Sequence, residues 1–141
     1  MENLAVFDNN NVSLEQDITN TNDIYTSINL DAPENKAKLF KAMNNPDERI
    51  ADMINKEIKV TDIFCEMIEC TNEDGNVTIC PRVVLIDEKG KSYYAVSTGI
   101  YNSVKKLIAI FGVPTWNPAI TIIPKQISKK DRKILTLDVK F

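Results

Sequence analysis

Apolar and polar positions change rhythm along the chain, and the changes divide it. From residue 1 to 35 the apolar residues are scattered and keep no period, which predicts an arm without a packed face of its own. A helical rhythm starts around Asp31-Ala32-Pro33, with Ala37, Phe40 and Met43 as the expected stripe. Asn45-Pro46-Asp47-Glu48 then reads as an N-cap, a proline at the first helical position and acids in the first turn, leading into a second short helix with Ile50, Met53 and Ile54. Residues 36–55 are accordingly assigned to short helices.

Beyond Lys56 the rhythm is that of strands. Ile58 and Val60 alternate with polar residues before Ile63, Phe64, Met67 and Ile68 shift the phase, as a long strand with a bulge would. A turn at Asn72–Asn76 precedes a second strand, Val77–Asp87, whose Pro81 suggests a sheet edge or bulge. After the turn Glu88–Lys91, a third strand runs from Ser92 to Ser97. Helical spacing follows from Thr98, placing Ile100, Val104, Leu107, Ile108 and Phe111 on one face until Gly112 stops it. Residues 119–127 and 134–141 read as two more strands around the polar turn 128–131. The fold class is therefore all-β with short helices. The order β-β-β-α-β-β over residues 56–141 is that of an OB-fold, a five-stranded Greek-key barrel, here carrying an N-terminal acidic helical extension.

Charge sharpens this division. Of 141 residues, 17 are Lys or Arg and 20 Asp or Glu, a net charge of −3. Residues 1–55 hold ten acids and four bases, whereas residues 89–141 hold ten bases against two acids, Asp131 and Asp138. The first 35 residues have seven acids, eight Asn and no base. An acidic arm before a basic barrel predicts a polyanionic partner for the barrel. No histidine is present, which removes the commonest general base and most zinc or iron sites, so an enzyme is not expected. Cys65, Cys70 and Cys80 fit no metal-knuckle spacing and read as reduced thiols. Asp62, Glu66, Glu69, Glu73 and Asp74 lack the partners of a metal-dependent nuclease, and no glycine-rich phosphate loop can be written. No cofactor is expected. Without a signal-like or membrane-spanning apolar run, the chain reads as soluble and intracellular, and its formal glycosylation triplets carry no weight.

Binding an unpaired strand requires cations that follow the phosphates and flat rings on which bases stack. Lys89 and Lys91 flank one hairpin tip, Tyr93 and Tyr94 follow, and Arg82 lies in the neighbouring strand. Alternation sends the two tyrosines to opposite faces; Tyr93 is expected outside and Tyr94, with Val96, in the core. A second cluster, Lys125, Lys129, Lys130, Arg132 and Lys133, occupies the last hairpin, where an OB barrel borders its ligand groove. Lys105 and Lys106 read as solubilising. Trp116, between Pro114 and Pro118, reads equally as a stacking platform or a lid over the barrel end.

The stretch from Arg82 to Phe141 resembles the small single-stranded DNA-binding proteins of tailed phages of Gram-positive bacteria. The matching pattern is G-x-x-Y-x-A-[VI]-S, here Gly90, Tyr93, Ala95, Val96 and Ser97, then a helix, a strand ending near Lys125-Gln126, and a Ser128-Lys129 turn. Ser92 stands where the family has a Leu-like position. The resemblance implies an OB-fold that coats displaced strands during phage genome replication in the host cytoplasm, with Tyr93 as a stacking residue. The expected partner is single-stranded DNA, bound with little regard to sequence. Replication proteins are a further possible partner through the acidic arm, and oligomers are compatible with this reading. The arm could instead compete with DNA for the basic groove. The alternative is a phage virion or host-factor interaction protein using the barrel without nucleic acid; a weaker one is an RNA-binding module of the cold-shock kind.

Overall fold

The computed structural model describes residues 24–140, and the first part of the expected arm lies outside them. The described chain is mostly β: a curled mixed sheet, a half-barrel, with two helices. Its elements are β1 (Ile24–Thr26), α1 (Pro33–Asn44), β2 (Glu48–Arg49), a 3-10 turn (Ile50–Met53), β3 (Ile58–Thr71), β4 (Val77–Asp87), β5 (Ser92–Val96), α2 (Thr98–Phe111), β6 (Ile120–Lys129) and β7 (Arg132–Val139). The strand order is β2-β5-β4-β3-β6-β7, with β1 paired antiparallel to β3.

Strand β3 can serve β4, β6 and β1 because it is long and bent. Its register with β4 shifts between Val60 and Asp62, so the bulge foreseen from the phase change is present. Side chains that faced one side before the bulge are continued by residues of opposite parity after it. Ile58, Val60, Ile63 and Cys65 consequently line one interior with Val83 and Leu85. Helix α2 fills that interior with Ile100, Tyr101, Val104, Leu107 and Ile108. Phe111, expected on the same face, is instead exposed at the helix end.

The outer face of the sheet is also apolar. Phe64, Val84 and Ile86 are buried there under Ile28 and the α1 residues Leu39 and Ala42. This corrects the N-terminal reading in three places. Residues 24–35, expected to belong to the arm, form β1, a turn and the first residues of α1. The α1 stripe is Leu39, Ala42 and Met43, while Phe40 is 67% exposed, because the helix lies on its hairpin at a different rotation from that suggested by Ala37 and Phe40. The second expected helix is replaced by β2 and the 3-10 turn. The Asp47 carboxylate, the anticipated helix-start acid, accepts from the backbone N–H and hydroxyl of Ser92, both through Oδ2, and so draws residues 48–49 into parallel pairing with Tyr93 and Tyr94.

The turns follow their side chains. Asn72 Oδ1 accepts from the N–H groups of Asp74 and Asn76, and Asp87 Oδ1 from those of Lys89 and Lys91. Lys130 and Asp131 have φ of 47° and 66°, the two positive values that a tight hairpin with right-handed twist requires. Among the described residues no ladder joins β5 to β7, so the half-barrel is open along that side. Helix α2 leans across the opening: Ser103 Oγ donates to the Gly99 carbonyl, meets Thr136 Oγ1 at 2.8 Å and accepts from the Leu137 N–H.

Candidate nucleic-acid interface

The expected stacking pair is inverted. Tyr93 is 5% exposed and belongs to the interior cluster with Ala95, whereas Tyr94 is half-buried on the outer face and Val96 is 46% exposed. Both faces of β5 are covered in part, one by α2 and the other by the α1 layer, so alternation alone had no polar face to orient it. The small Ala95 points inward beside Tyr93, leaving Val96 at the sheet margin. The Tyr93 hydroxyl donates to Asp87 Oδ2 at 2.9 Å. Burial first, then that carboxylate and the nearby Glu48 and Asp47, push its phenol well above the ordinary value.

The surroundings of Tyr93 are mixed in charge. A cavity of about 280 Å3 beside it is walled by Lys59 and Lys89 but also by Glu57, Asp87 and Glu88. Lys91 lies 5.7 Å from the Tyr93 ring centroid, yet its ammonium pairs with Glu48 at 2.7 Å, which raises its pKa. Trp116 is likewise withdrawn: it is 6% exposed, its N–H donates to the Thr61 carbonyl, and its indole Nε1 donates to the Gly112 carbonyl at 2.9 Å. Its indole belongs to the interior cluster, so the ring is not presented to solvent as a stacking platform would require.

Arg82 reaches Glu66 at 3.0 Å and its guanidinium carbon lies 5.5 Å from the Tyr94 ring centroid. Only 15% of the Arg82 side chain and 21% of the Glu66 side chain is exposed, so the pair holds Tyr94 in place more than it offers a free charge. Lys125 donates to Asn55 Oδ1 at 3.0 Å. Asp62 is surrounded by hydroxyls, accepting from Ser27, Thr61 and Thr115, and Glu66 is committed to Arg82.

Lys89 is exposed and has no ion-pair partner among the described residues, but it shares its cavity wall with Glu57, Asp87 and Glu88. Lys129, Lys130, Arg132 and Lys133 are all exposed on the β6–β7 hairpin and have no ion-pair partner among the described residues. Lys129 and Arg132 stand directly opposite each other in the ladder. Like charges in that relation cost stability, a cost that an anionic ligand would relieve. Arg132 and Lys133 further wall a cavity of about 440 Å3 with Ser97, Thr98, Gly99, Asn102, Ile134 and Leu135, none of them acidic.

Next to it, along the open side between β5 and β7, lies a second cavity of about 240 Å3. Arg49, Ala51, Tyr94, Ala95, Val96, Ser97 and Leu135 line it. Ser97 and Leu135 belong to both walls, so the two cavities adjoin. Arg49 is the Cα neighbour of Tyr94 across the parallel β2–β5 pair and is held by Asp52 at 3.0 Å. Tyr94, Val96 and Arg49 were not expected at a site. The continuous apolar run Val83-Val84-Leu85-Ile86, all four buried, was the available signal that both faces are covered and that alternation would not orient the adjacent strand.

The structure is thus a curled half-barrel with a basic hairpin, free of ion-pair partners among the described residues, beside a slot that Tyr94 lines in part. A family model described as phage single-stranded DNA-binding protein matches residues 18–140. The chain belongs to that family. No curated protein and no solved structure matches it.

Proposed function

We propose that this family member is a non-enzymatic protein that binds single-stranded DNA with little sequence preference and coats strands displaced during phage genome replication in the host cytoplasm. The half-barrel is then an OB-fold, consistent with its β-β-β-α-β-β core and with α2 seated in its interior. The observation that carries the reading is the β6–β7 hairpin, whose four cations have no acidic partner among the described residues and so can meet phosphates. Neither Tyr93 nor Trp116 supplies the stacking surface in this reading. The acids of the N-terminal arm compete with DNA for the basic hairpin at low salt, or recruit a basic replication protein.

Fluorescence anisotropy of labelled oligo-dT, oligo-rU and duplex DNA at several salt concentrations tests this. Four phosphate contacts predict a slope of log affinity against log salt of about −2.8 for oligo-dT, at about −0.7 per contact. Replacing Arg132 and Lys133 by alanine brings it to about −1.4. A labelled strand is the better reporter because Trp116 is buried. Binding of oligo-dT ahead of duplex and oligo-rU supports the reading; silence toward every nucleic acid overturns it in favour of a protein-interaction role.

A further inference from the structure

We propose that one nucleobase of the bound strand enters the apolar slot beside Tyr94 while the neighbouring phosphates lie against Arg132 and Lys133 in the adjoining cavity. This rests on the single-stranded DNA reading and assigns the part of the chain that carries it: the open side of the half-barrel, not the surface around Tyr93.

The argument is one of paired chemistries at nucleotide spacing. The slot of about 240 Å3 has a tyrosine, aliphatic carbon and Arg49, a cation already paired with Asp52, in its walls, and the groove of about 440 Å3 has two cations without such a partner among the described residues; no acid lines either, and they share Ser97 and Leu135. A planar apolar group covalently next to a phosphate satisfies both at once. Tyr94 is held in place by Arg82, itself fixed by Glu66, so little side-chain freedom is lost when a base packs on it. The strand edge contributes as well. Strand β2 covers only Tyr93 and Tyr94, leaving Ala95 and Val96 without a strand neighbour on that side among the described residues. Such an edge presents both donors and acceptors, which suits any base and fits recognition that tolerates sequence. At 46% exposure, Val96 borders the slot without being part of the sealed core.

The full chain can be cross-linked to oligo-dT carrying 5-iododeoxyuridine and the adduct mapped by mass spectrometry. The expected adduct is on Tyr94; adducts confined to other residues overturn the slot. In a second measurement, oligo-dT is compared with an abasic strand of equal length. The wild-type chain should prefer oligo-dT by about fivefold or more, the effect of a single base stack. Val96→Glu should reduce that preference below twofold with an unchanged urea midpoint, whereas the Arg132→Ala, Lys133→Ala double variant should weaken both ligands alike. An undiminished preference in Val96→Glu also overturns the slot. If the wild-type chain binds neither strand, the single-stranded DNA reading fails and the slot with it. If it binds oligo-dT but the adduct and Val96→Glu point elsewhere, the slot alone fails.

Discussion

Gly99→Ala places two physical effects in direct opposition. Glycine inside a helix costs up to about 1 kcal/mol relative to alanine, so helix propensity alone makes the substitution stabilising. Gly99, however, is where α2 crosses β7. A Cβ there would lie 2.2 Å from the Leu135 carbonyl oxygen, 3.3 Å from Ile134 Cγ2 and 3.4 Å from the Leu135 carbonyl carbon. Ordinary contact begins near 3.4 Å, so the helix and strand must part by about 1 Å. The obstacle is backbone, fixed by the pairing of Leu135 with Gln126, and cannot rotate away. Separation also strains the Ser103 bridge to Gly99, Thr136 and Leu137. Overpacking costs about 1–3 kcal/mol and each weakened hydrogen bond about 0.5–1.5 kcal/mol. After subtracting the propensity gain, the net loss is about 1–3 kcal/mol. For a domain of this size that lowers Tm by about 4–12 °C. Calorimetry and urea melts of the two chains measure it. A Gly99→Ala chain as stable as the parent, or more so, would mean that α2 does not close on β7 as described.

Three further outcomes follow from buried or partnered groups. The neutral Tyr93 phenol is favoured by folding, so its contribution is intact below the ordinary phenol value near 10 and is lost only as pH rises through its higher folded value. Absorbance at 295 nm should therefore be the same for wild type and Tyr93→Phe up to about pH 11 in the folded chain, and differ by one phenolate in urea. Burial pushes the Cys65 thiol up to about 12, and the hydrogen bond with Cys80 raises the Cys70 thiol too, so accessibility separates them: a thiol reagent at pH 8 should modify the partly exposed Cys70 and Cys80 but reach buried Cys65 only after unfolding. Asp47 is held below the usual carboxylate value, chiefly by the Ser92 N–H, so its contribution is present at neutral pH and lost as pH falls below about 4. The stability gap between wild type and Asp47→Asn should shrink from pH 7 to pH 2 in urea melts; a constant gap would refute that origin.

The strands beyond Lys56 were legible because their turns are written in Asn, Asp and Gly and because the phase change at Val60 to Ile63 has one simple cause, a bulge. Helix α2 was legible because one face is buried and the other wet. What the alternating pattern could not convey was a sheet covered on both sides. Where α1 and α2 sandwich β4 and β5, Tyr93 and Tyr94 both gain apolar neighbours, and the choice between them depends on which side Ala95 must leave open for α2. The misread second helix has a similar cause. Asn45-Pro46-Asp47-Glu48 is a sound local helix start, but Asp47 is engaged by Ser92, 45 residues away, a partner invisible to local reading. The basic hairpin was legible because repeated like charges with little acid between them need no tertiary context.

The outer layer bears on the competition between arm and DNA. Phe64, Val84 and Ile86 are fully buried beneath the segment containing Ile28, Leu39 and Ala42. Exposing three such side chains would cost about 5–9 kcal/mol, comparable with the whole net stability of a domain. Residues 24–44 are thus part of the fold and cannot exchange with a DNA strand, so any competition falls to residues 1–23, which carry five acids and no base. Deleting 1–35 would remove β1 and confound the measurement; deleting 1–23 does not touch the described elements. At about 10 mM salt, where charges interact over about 30 Å, the shortened chain should bind oligo-dT several-fold more tightly, and the gain should vanish near 1 M salt, where that range falls to about 3 Å. Equal affinities at low salt would retire electrostatic competition and leave recruitment of a basic partner as the role of those acids.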